Sequence, residues 1–379
     1  MKVLVSVVGR FHAFDLANQL QKAGVLSKLN TTYPNRIAKR WGIRTENIHS
    51  NISLEFLNRY FIRLFPFLKN SISIFLYKKQ ANSNKKFLSD ADVLISWSGA
   101  SLEAIIEAKK LNKITILERG SSHYSYQMRI LQEEFLKFNK VFKPNYKVWQ
   151  RELLEYELTD YVMVPSTYVK RSFIEQGFPE KKILLNPYGV DLSSFKQIEK
   201  EDDLFRVVFA GGLSFRKGAH YLLQAFNELD LPNSELWHLG TVTEEIKPIV
   251  ERFQSDKIKY LGHKPQNELN RYYSQASVFV IMSLEEGLAL VQPQAMACGL
   301  PLICTSNTGG EDLITKDGEE GFVIDIRDVN ALKEKLLFLY QNPDVCREMG
   351  QKAKLKVSNG FTWNDYGVRY LEILNNIIK

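Results

Sequence analysis

Residues 205–220, FRVVFAGGLSFRKGAH, join a short apolar segment to a helical one through a glycine-rich turn. The run Phe205–Ala210 is typical of a parallel strand that is buried on both faces. A helix is expected to begin near Gly218. Strand, glycine turn and helix in this order form the unit from which parallel α/β sheets are built. The stretch therefore predicts a Rossmann-like domain in the second half of the chain.

The same turn has the groups of an anion site. Its free backbone N–H groups, the Arg216 and Lys217 side chains and the positive end of the following helix suit a diphosphate. The alternative is a tight strand-to-helix turn with exposed basic side chains, and the turn alone does not decide between the two. It is not a Walker loop, because the spacing of that motif is absent.

Strands and helices alternate along the rest of the chain. In the second half, further strands are expected at 236–239, 258–261, 278–282, 302–304 and 322–324. In the first half they are expected at 3–8, 93–95, 114–117 and 161–164, with a helical pattern after the first of them that stops at Gly24. This alternation predicts a parallel sheet in each half.

The length of 379 residues suits two domains of similar size, and the composition is that of a globular chain, with 45% hydrophobic and 25% charged residues. A linker is expected at 186–191, followed by the charged run 200–203. We therefore predict domains at 1–190 and 191–360, and a final segment at 361–379. Any ligand is expected in the cleft between the domains, at the carboxyl ends of the strands.

The charge divides unevenly between the halves. Residues 1–190 contain 29 Lys and Arg against 16 Asp and Glu, a net charge of +13, whereas the remainder has a net charge of −6. A basic half favours an anionic partner, such as a membrane surface, a nucleic acid or an acidic substrate, unless the proteome is basic throughout. No nucleic-acid module is recognisable, and we expect no nucleic-acid partner.

Cysteine use and hydropathy indicate the compartment. The three cysteines, Cys298, Cys304 and Cys346, have neither disulfide nor zinc spacing, which favours a reducing compartment. No segment approaches the roughly 18–20 apolar residues of a membrane-spanning helix. The apolar run 3–8 lacks a cleavage pattern and is expected to be a strand. The predicted location is cytoplasmic, with a peripheral association with the inner face of the cytoplasmic membrane as a further possibility.

A second cluster is SLEEGLALVQPQAMACGLP, residues 283–301. It begins where the predicted strand 278–282 ends, which places Glu286 at a ligand-binding edge. Gly287 allows backbone amides to face a ligand, and Gln294 lies on the first turns of the next helix. A carboxylate accepts hydrogen bonds from sugar hydroxyls, and an amide suits a ribose. The alternative is an exposed acidic turn, but the cluster and the turn at 211–218 together favour a binding site.

The sequence resembles the retaining glycosyltransferases of family 4 (glycosyl transferases group 1). The resemblance is carried by residues 186–191, 211–218, 260–262, 286–301, 309–311, 321–323 and 361–363. It implies the α/β GT-B fold, in which two Rossmann-like domains face each other across a cleft. An N-terminal acceptor-binding domain precedes a C-terminal domain that binds the nucleotide-sugar donor, and the last helix crosses back to the first domain.

The resemblance also implies roles for individual residues. Glu286 would hold donor-sugar hydroxyls, Lys217 would hold the diphosphate, and His123 would contact the donor sugar near its anomeric carbon; these three are the predicted catalytic residues. Donor-binding positions would also include Gly9, Gly211, Gly212, Arg216, Gly262, Gly287, Leu288, Ala289, Leu290 and Gln294. The acceptor side would include Arg10, His12, Arg119, Ser121 and Ser122.

Two positions depart from the family pattern. Gln294 stands where the family has a second glutamate, and Gly212 stands where it usually has an arginine, so that Arg216 would supply the second cation. These changes leave the choice of donor open. Among the histidines, His12 and His123 follow predicted strands and are site candidates, whereas His49, His220, His238 and His263 are expected to be structural.

The implied mechanism is front-face transfer with retention and without a covalent intermediate. The diphosphate would take the acceptor proton, while Lys217, Arg216 and helix amides stabilise its charge. No cofactor or metal is expected, because Asp90-Ala91-Asp92 belongs to the turn before a strand. The nucleotide sugar is a co-substrate.

An acceptor surface is predicted at 56–86 and 137–147, where aromatic and basic residues alternate. The first stretch contains Phe56, Tyr60, Phe61, Phe65, Phe67, Phe75 and Tyr77 beside Arg59, Arg63, Lys69, Lys78, Lys79, Lys85 and Lys86, and the second contains Phe138, Phe142 and Tyr146. A helix of this kind can lie on an anionic bilayer, and an amphipathic core helix is the alternative.

The predicted function is a hexosyltransferase that moves a sugar from a nucleotide sugar to a glycan or lipid-linked acceptor. The product would be an envelope polysaccharide, a lipopolysaccharide or a glycolipid. One alternative is a glycosyltransferase with a soluble small-molecule acceptor. The other is a protein that binds sugar nucleotides without turnover.

Overall fold

A computed structural model describes residues 1–61 and 69–378, and among them the side chains of Phe61, Lys69 and Asn70 are not described. The first unit holds a seven-stranded sheet in the order β3-β2-β1-β4-β5-β6-β7. Its strands are β1 Val3–Val7, β2 Leu26–Thr31, β3 Ile48–Ser50, β4 Val93–Trp97, β5 Ile114–Glu118, β6 Tyr161–Val164 and β7 Ile183–Leu185. All neighbouring strands pair in parallel.

The second unit holds a six-stranded parallel sheet in the order β10-β9-β8-β11-β12-β13. Its strands are β8 Phe205–Ala210, β9 Ser234–Leu239, β10 Ile258–Tyr260, β11 Val278–Ile281, β12 Leu302–Thr305 and β13 Gly321–Ile324. The predicted class, α/β with two Rossmann-like sheets, is confirmed.

Helices cover both sheets. Those of the first unit are α1 Ala13–Lys22, α2 Asn35–Arg40, α3 Ile52–Phe56, α4 Lys69–Ser83, α5 Lys85–Leu88, α6 Leu102–Lys110, α7 Tyr124–Lys137, α8 Tyr146–Leu158 and α9 Thr167–Glu175. Those that follow are α10 Ala219–Leu229, α11 Lys247–Arg252, α12 Leu269–Ser274, α13 Val291–Ala297, α14 Val329–Gln341, α15 Pro343–Ser358 and α16 Trp363–Ile377. None of these described helices is long and apolar enough to span a bilayer.

Most strands were predicted from the sequence, including the edge strands β10 and β13, and three were not. All five residues of β1 are buried, as are all six of β8, and both appear in the sequence as largely apolar runs in which Ser6 and Arg206 are the exceptions. In contrast, β2 is LSKLNT and contains Asn30, a buried amide that donates to Asn84 at 2.7 Å. The strands β3 and β7 have only three residues each. The sequence analysis missed all three strands, because β2 and β3 contain polar residues and the apolar run of β7 is only three residues long.

Strand order places the ligand-binding loops. In each sheet the order reverses beside the first strand, between β1 and β4 in one unit and between β8 and β11 in the other. Ligands of parallel α/β sheets bind at such reversals, outside the carboxyl ends of the strands. The glycine turn follows β8 and the Glu286 segment follows β11, so the two predicted motifs lie side by side in space.

The chain passes between the units twice, at the linker and before the last helix. Val190 and Thr362 form a parallel backbone bridge, and Val190 N donates to Phe361 O at 2.7 Å. Helix α16 starts at a capping box formed by Thr362 and Asp365 and packs against α1 of the first unit. The Tyr370 hydroxyl donates to Glu118 at 2.8 Å. The last helix therefore contributes to the core of the first unit.

The predicted acceptor surface is only partly as expected. Arg63, Phe65 and Phe67 lie outside the described residues. Phe138 stacks on Phe215 of the second unit with ring centroids 4.6 Å apart, and Phe142 packs against Phe135 at 5.1 Å. These partners, which the local pattern does not reveal, bury Phe138 and Phe142 in part, and the membrane role of the two rings stays a prediction.

We expect Gly189→Ala to destabilise the fold. A Cβ at residue 189 would lie 2.5 Å from the backbone nitrogen of Trp363, so the two chain crossings would have to separate. Overpacking of this kind costs about 2 kcal/mol. Thermal unfolding measures it, with Gly212→Ala as the matched control, since a Cβ there would meet Thr241 at an ordinary 3.6 Å. Equal melting temperatures for the two variants would contradict the prediction.

Candidate active site

The glycine turn after β8 is folded tightly against the end of β11. Gly218 has φ +57° and precedes α10, and a Cβ at this position would lie 1.8 Å from the carbonyl oxygen of Met282. Only glycine combines this left-handed backbone with so close a contact. The contact brings the basic side chains of the turn to the segment that follows β11.

Glu286 lies between the two cations of the turn. Lys217 Nζ is 2.5 Å from Glu286 Oε1, and Arg216 donates to the same oxygen. Arg216 also donates to the carbonyl oxygen of Glu285 at 3.0 Å. Burial raises the pKa of Glu286, but the Lys217 and Arg216 charges outweigh burial and hold that pKa below its ordinary value. Glu286 is therefore ionised at neutral pH, between the side chains of Lys217 and Arg216, and Arg216 also lies 3.8 Å from the Glu285 carboxylate.

The other predicted donor-side positions belong to the second unit, except Gly9, which follows β1 of the first. Leu288 and Ala289 are buried directly after Gly287, and Gln294 is 6% exposed on α13. Gly211 closes the turn with a hydrogen bond to Leu239 O. Gly262 has φ +72° in open space after β10. No contact in the described residues joins Gly262 to Glu286.

Arg119 and His12 already have partners inside the first unit. Arg119 pairs with Glu152 at 2.7 Å and donates to Ser122 O at 3.0 Å, so it orders the loop after β5. His12 Nε2 lies 3.2 Å from Glu118, and its ring packs against Tyr188. Both side chains are buried. Of the predicted acceptor-side cations, Arg10 is the one that lines an open cleft.

His123 is the N-cap of α7. Its Nδ1 accepts from the Ser125 amide at 3.3 Å, and its ring packs between Tyr156 and Phe173. Burial and the Arg119 charge lower its pKa to about 4. The ring is therefore neutral at neutral pH, and it has a structural role in the first unit whatever else it contacts.

A buried carboxylate that the sequence analysis missed joins the two units. Glu285 is 0% exposed and accepts hydrogen bonds from first-unit groups. The donors are the Ser121 hydroxyl at 2.6 Å, the Ser122 amide at 2.8 Å, the Ser122 hydroxyl at 2.9 Å and the Gln127 amide nitrogen at 2.7 Å. Ser121 and Ser122, predicted to bind the acceptor, thus bind the second unit in this structure. The one feature of the sequence that pointed to Glu285 was its position directly before Glu286.

Backbone contact supports the same junction. A Cβ on Gly287 would lie 2.0 Å from the carbonyl oxygen of Gly120 in the other unit. The Ser166 hydroxyl donates to Gly287 O at 2.6 Å, and Thr167 donates through its amide and its hydroxyl to Asp312. All these residues follow the carboxyl ends of strands. The two sheets therefore face each other through these ends.

A second buried carboxylate, Glu134 of α7, joins the units. It accepts hydrogen bonds from the Tyr221 hydroxyl of α10 and from Arg327 Nε, at 2.7 Å each, and His220 Nε2 of α10 also lies 2.7 Å from it. Burial raises the pKa of Glu134, but these hydrogen bonds outweigh burial and lower it to about 2. His220 thus has a structural role, as predicted, and this role is to hold the two units in contact.

No group of three or more potential metal ligands occurs in residues 1–61 and 69–378. Asp92 of the D-x-D sequence accepts from the Lys2 backbone nitrogen at 2.7 Å, beside the start of β4.

Two Rossmann-like units that meet across a cleft at their strand ends have the GT-B architecture, a fold class of glycosyltransferases. Residues 191–356 match the family model of the Glycosyl transferases group 1. The second unit therefore carries a glycosyl transferases group 1 domain.

Comparison with known proteins supports this class. A trehalose synthase from Pyrococcus horikoshii is 39% identical over 232 residues, which cover 54% of this chain and 55% of the relative. An O-antigen chain mannosyltransferase B from Escherichia coli is 30% identical over 165 residues, or 42% of each chain. The chain spans about half the length of these curated relatives. The crystal structure of Anabaena HepE in complex with UDP-glucose shares the fold, with TM-score 0.70, 15% identity and coverage of 99% of this chain and 100% of that one.

We expect Gly287→Ala to separate the units, because a Cβ would collide with the backbone at Gly120. Spin labels would replace Lys181 and Lys316, which are both exposed and lie on different units. The distribution of distances between the two labels should shift to longer values and become broader than in the chain with Gly287. The cysteines 298, 304 and 346 are buried, which favours labelling at the two introduced sites. Gly212→Ala is the control. An unchanged distance in folded Gly287→Ala protein would contradict the role of this contact.

Proposed function

We propose that this chain is a glycosyltransferase that moves a sugar from a nucleotide sugar to a glycan or lipid-linked acceptor. The observation that supports it most strongly is the ionised Glu286 held between Lys217 and Arg216 where β8 and β11 end. The group 1 domain over residues 191–356 and relatives named for sugar and O-antigen synthesis agree with this activity.

The cluster can exchange partners when a donor binds. The donor diphosphate takes over Lys217 and Arg216, and the first amides of α10 add further donors. Glu286 then loses its two cations and becomes available to the hydroxyls of the donor sugar. Because the carboxylate and the cations are already in place, binding reorganises hydrogen bonds and leaves the fold unchanged.

The transfer retains the anomeric configuration and uses neither a metal nor a covalent enzyme intermediate. As the sugar leaves, negative charge grows on the diphosphate, where Lys217 and Arg216 stabilise it. The same diphosphate accepts the proton of the attacking hydroxyl. Gln294 hydrogen-bonds the ribose as a neutral amide. His123, as a neutral ring, contacts the donor sugar near its anomeric carbon.

UDP-glucose is the first donor to test, because Anabaena HepE was crystallised with it. The trehalose synthase relative favours a second candidate function, a glycosyltransferase with a soluble sugar as acceptor. Binding to lipid vesicles separates the two acceptor classes.

A peripheral membrane association is supported by the segment 136–147, which runs from the end of α7 to the start of α8. Leu136, Val141 and Tyr146 are 69%, 75% and 61% exposed. Lys137, Lys140, Lys143 and Lys147 lie between and beside them and are exposed as well. Exposed apolar side chains among lysines suit the interface of an anionic bilayer. We infer that the lipid of a lipid-linked acceptor lies on this side of the first unit.

Two substitutions test the donor site. Lys217→Ala removes a cation from the diphosphate and should weaken UDP binding by about ten-fold or more. Glu286→Gln should leave UDP binding intact, weaken UDP-glucose binding and lower kcat by about a hundred-fold. Calorimetry with UDP and UDP-glucose and a radiolabelled transfer assay measure these effects.

The exposed pair Glu244 and Lys247 provides matched controls, Glu244→Gln and Lys247→Ala, which should change nothing. A thermal-shift screen of UDP-, GDP-, ADP- and dTDP-sugars precedes the assay. The donor assignment fails if none of them stabilises the protein or if Lys217→Ala binds UDP normally. Donor binding without hydrolysis or transfer would identify a binding protein.

Membrane association has its own test. Lys140→Glu combined with Lys143→Glu should reduce co-sedimentation with phosphatidylserine vesicles at low salt by at least about ten-fold, since each lysine near the surface contributes about 1 kcal/mol. Lys316→Glu with Lys352→Glu, on the second unit, is the control with the same charge change. If both double variants sediment alike, the segment 136–147 does not bind the membrane.

A further inference from the structure

The first unit contains a cleft of about 600 Å³ beside the turn at Gly9. It lies where β1, β2 and β4 end, and its lining includes Arg10, Phe11, Tyr33, Tyr77, Trp97 and Ser98. Aromatic walls with a few polar groups are typical of sites for small organic ligands.

Phe11 is the most unusual residue of the cleft. Its backbone has φ +42°, a left-handed conformation that a bulky side chain rarely adopts. Its ring is 66% exposed, so packing in the core does not account for it. Strained residues of this kind concentrate at functional sites. The ring lines the cleft, where the apolar face of a sugar ring can stack on it.

Arg10 gives the cleft a positive charge. Its guanidinium lies 4.6 Å from the ring centroid of Trp41, which fixes its position. Among the described residues it forms no ion pair. Glu55, the carboxylate of the lining, is already bound to Arg59 Nε at 2.5 Å and to the Thr32 hydroxyl at 2.5 Å. Arg10 is therefore available to an anionic ligand.

Asp15 is the other carboxyl group near Arg10. It interacts with Arg10 and His12 only through space, and burial raises its pKa to about 6 despite their charges. It is thus mostly ionised at neutral pH and weakens the charge of Arg10 without occupying its hydrogen-bond donors.

Hydrogen bonds connect the cleft to the donor site. Arg119 donates to Ser98 of the cleft at 3.2 Å and to Ser122 O at 3.0 Å. The Ser122 amide donates to Glu285 at 2.8 Å, and Glu285 directly precedes Glu286. A ligand in the cleft therefore lies beside the loop that meets the donor-binding segment.

We propose that this cleft binds an acidic saccharide, with a pyranose ring against Phe11 and its carboxylate on Arg10. The inference rests on the proposed function, because it makes this saccharide the acceptor. It goes further in naming the acceptor as a uronic acid and in assigning its recognition to Arg10 and Phe11.

The test compares methyl glucuronoside with its methyl ester, two probes that differ in charge and share one ring. Saturation-transfer NMR on the full chain should show binding of the acid, preferred over the ester by about ten-fold. Arg10→Gln should abolish the preference, Arg10→Lys should restore part of it, and Phe11→Ala should weaken both probes.

Matched controls on the same unit are Arg36→Gln and Phe56→Ala, which change an exposed arginine and an exposed aromatic residue outside the lining. Melting temperatures verify that every variant is folded. Equal binding of acid and ester, binding unaffected by Arg10→Gln and Phe11→Ala, or no binding of either probe at millimolar concentration would each overturn the proposal.

Binding of UDP-glucose by the unsubstituted chain is measured separately. Its absence, with glucuronoside binding intact, would count against the glycosyltransferase and not against the cleft.

Discussion

The close approach of Gly120 and Gly287 is the contact on which the arrangement of the two units depends. A methyl group has no room between these backbones. The approach buries Glu285, whose hydrogen-bond donors from Ser121, Ser122 and Gln127 all belong to the other unit. A buried carboxylate without partners is strongly unfavourable, so the glycines and the carboxylate require each other. Glu286, next along the chain, is positioned by the same junction.

Most of the inter-unit contacts described above are polar. Glu285 and Glu134 lose protein partners when the units separate, but water can replace these partners at little net cost. Apolar contacts contribute as well, in the stacking of Phe138 on Phe215 and the packing of Phe135 on the same ring at 5.2 Å. The junction therefore combines polar contacts that water can replace on opening with apolar contacts that favour the closed arrangement. That balance suits a site whose substrates enter and leave between the units.

The sequence predicted the features that local pattern determines. Buried central strands such as β8 and β11 are largely apolar runs, and the glycine turn follows β8 whereas Glu286 follows β11. It did not predict the features that depend on contacts between residues far apart in the chain. Glu285 is buried by a loop more than 150 positions away in the chain, as its hydrogen bond from the Ser122 amide shows. Phe138 packs on Phe215 of the second unit, and nothing in the sequence around Phe138 indicates this partner. The net charge of each half did not locate the proposed donor site, because the two cations of that site, Arg216 and Lys217, lie in the acidic half.

The bridge between Val190 and Thr362 has a mechanical consequence. Both chain crossings lie side by side at this isolated backbone bridge, where Val190 N donates to Phe361 O. The pairing ties the start of the second unit to the start of the last helix. Any movement of one unit relative to the other therefore has to displace both crossings together, whereas a single unpaired linker could adjust alone.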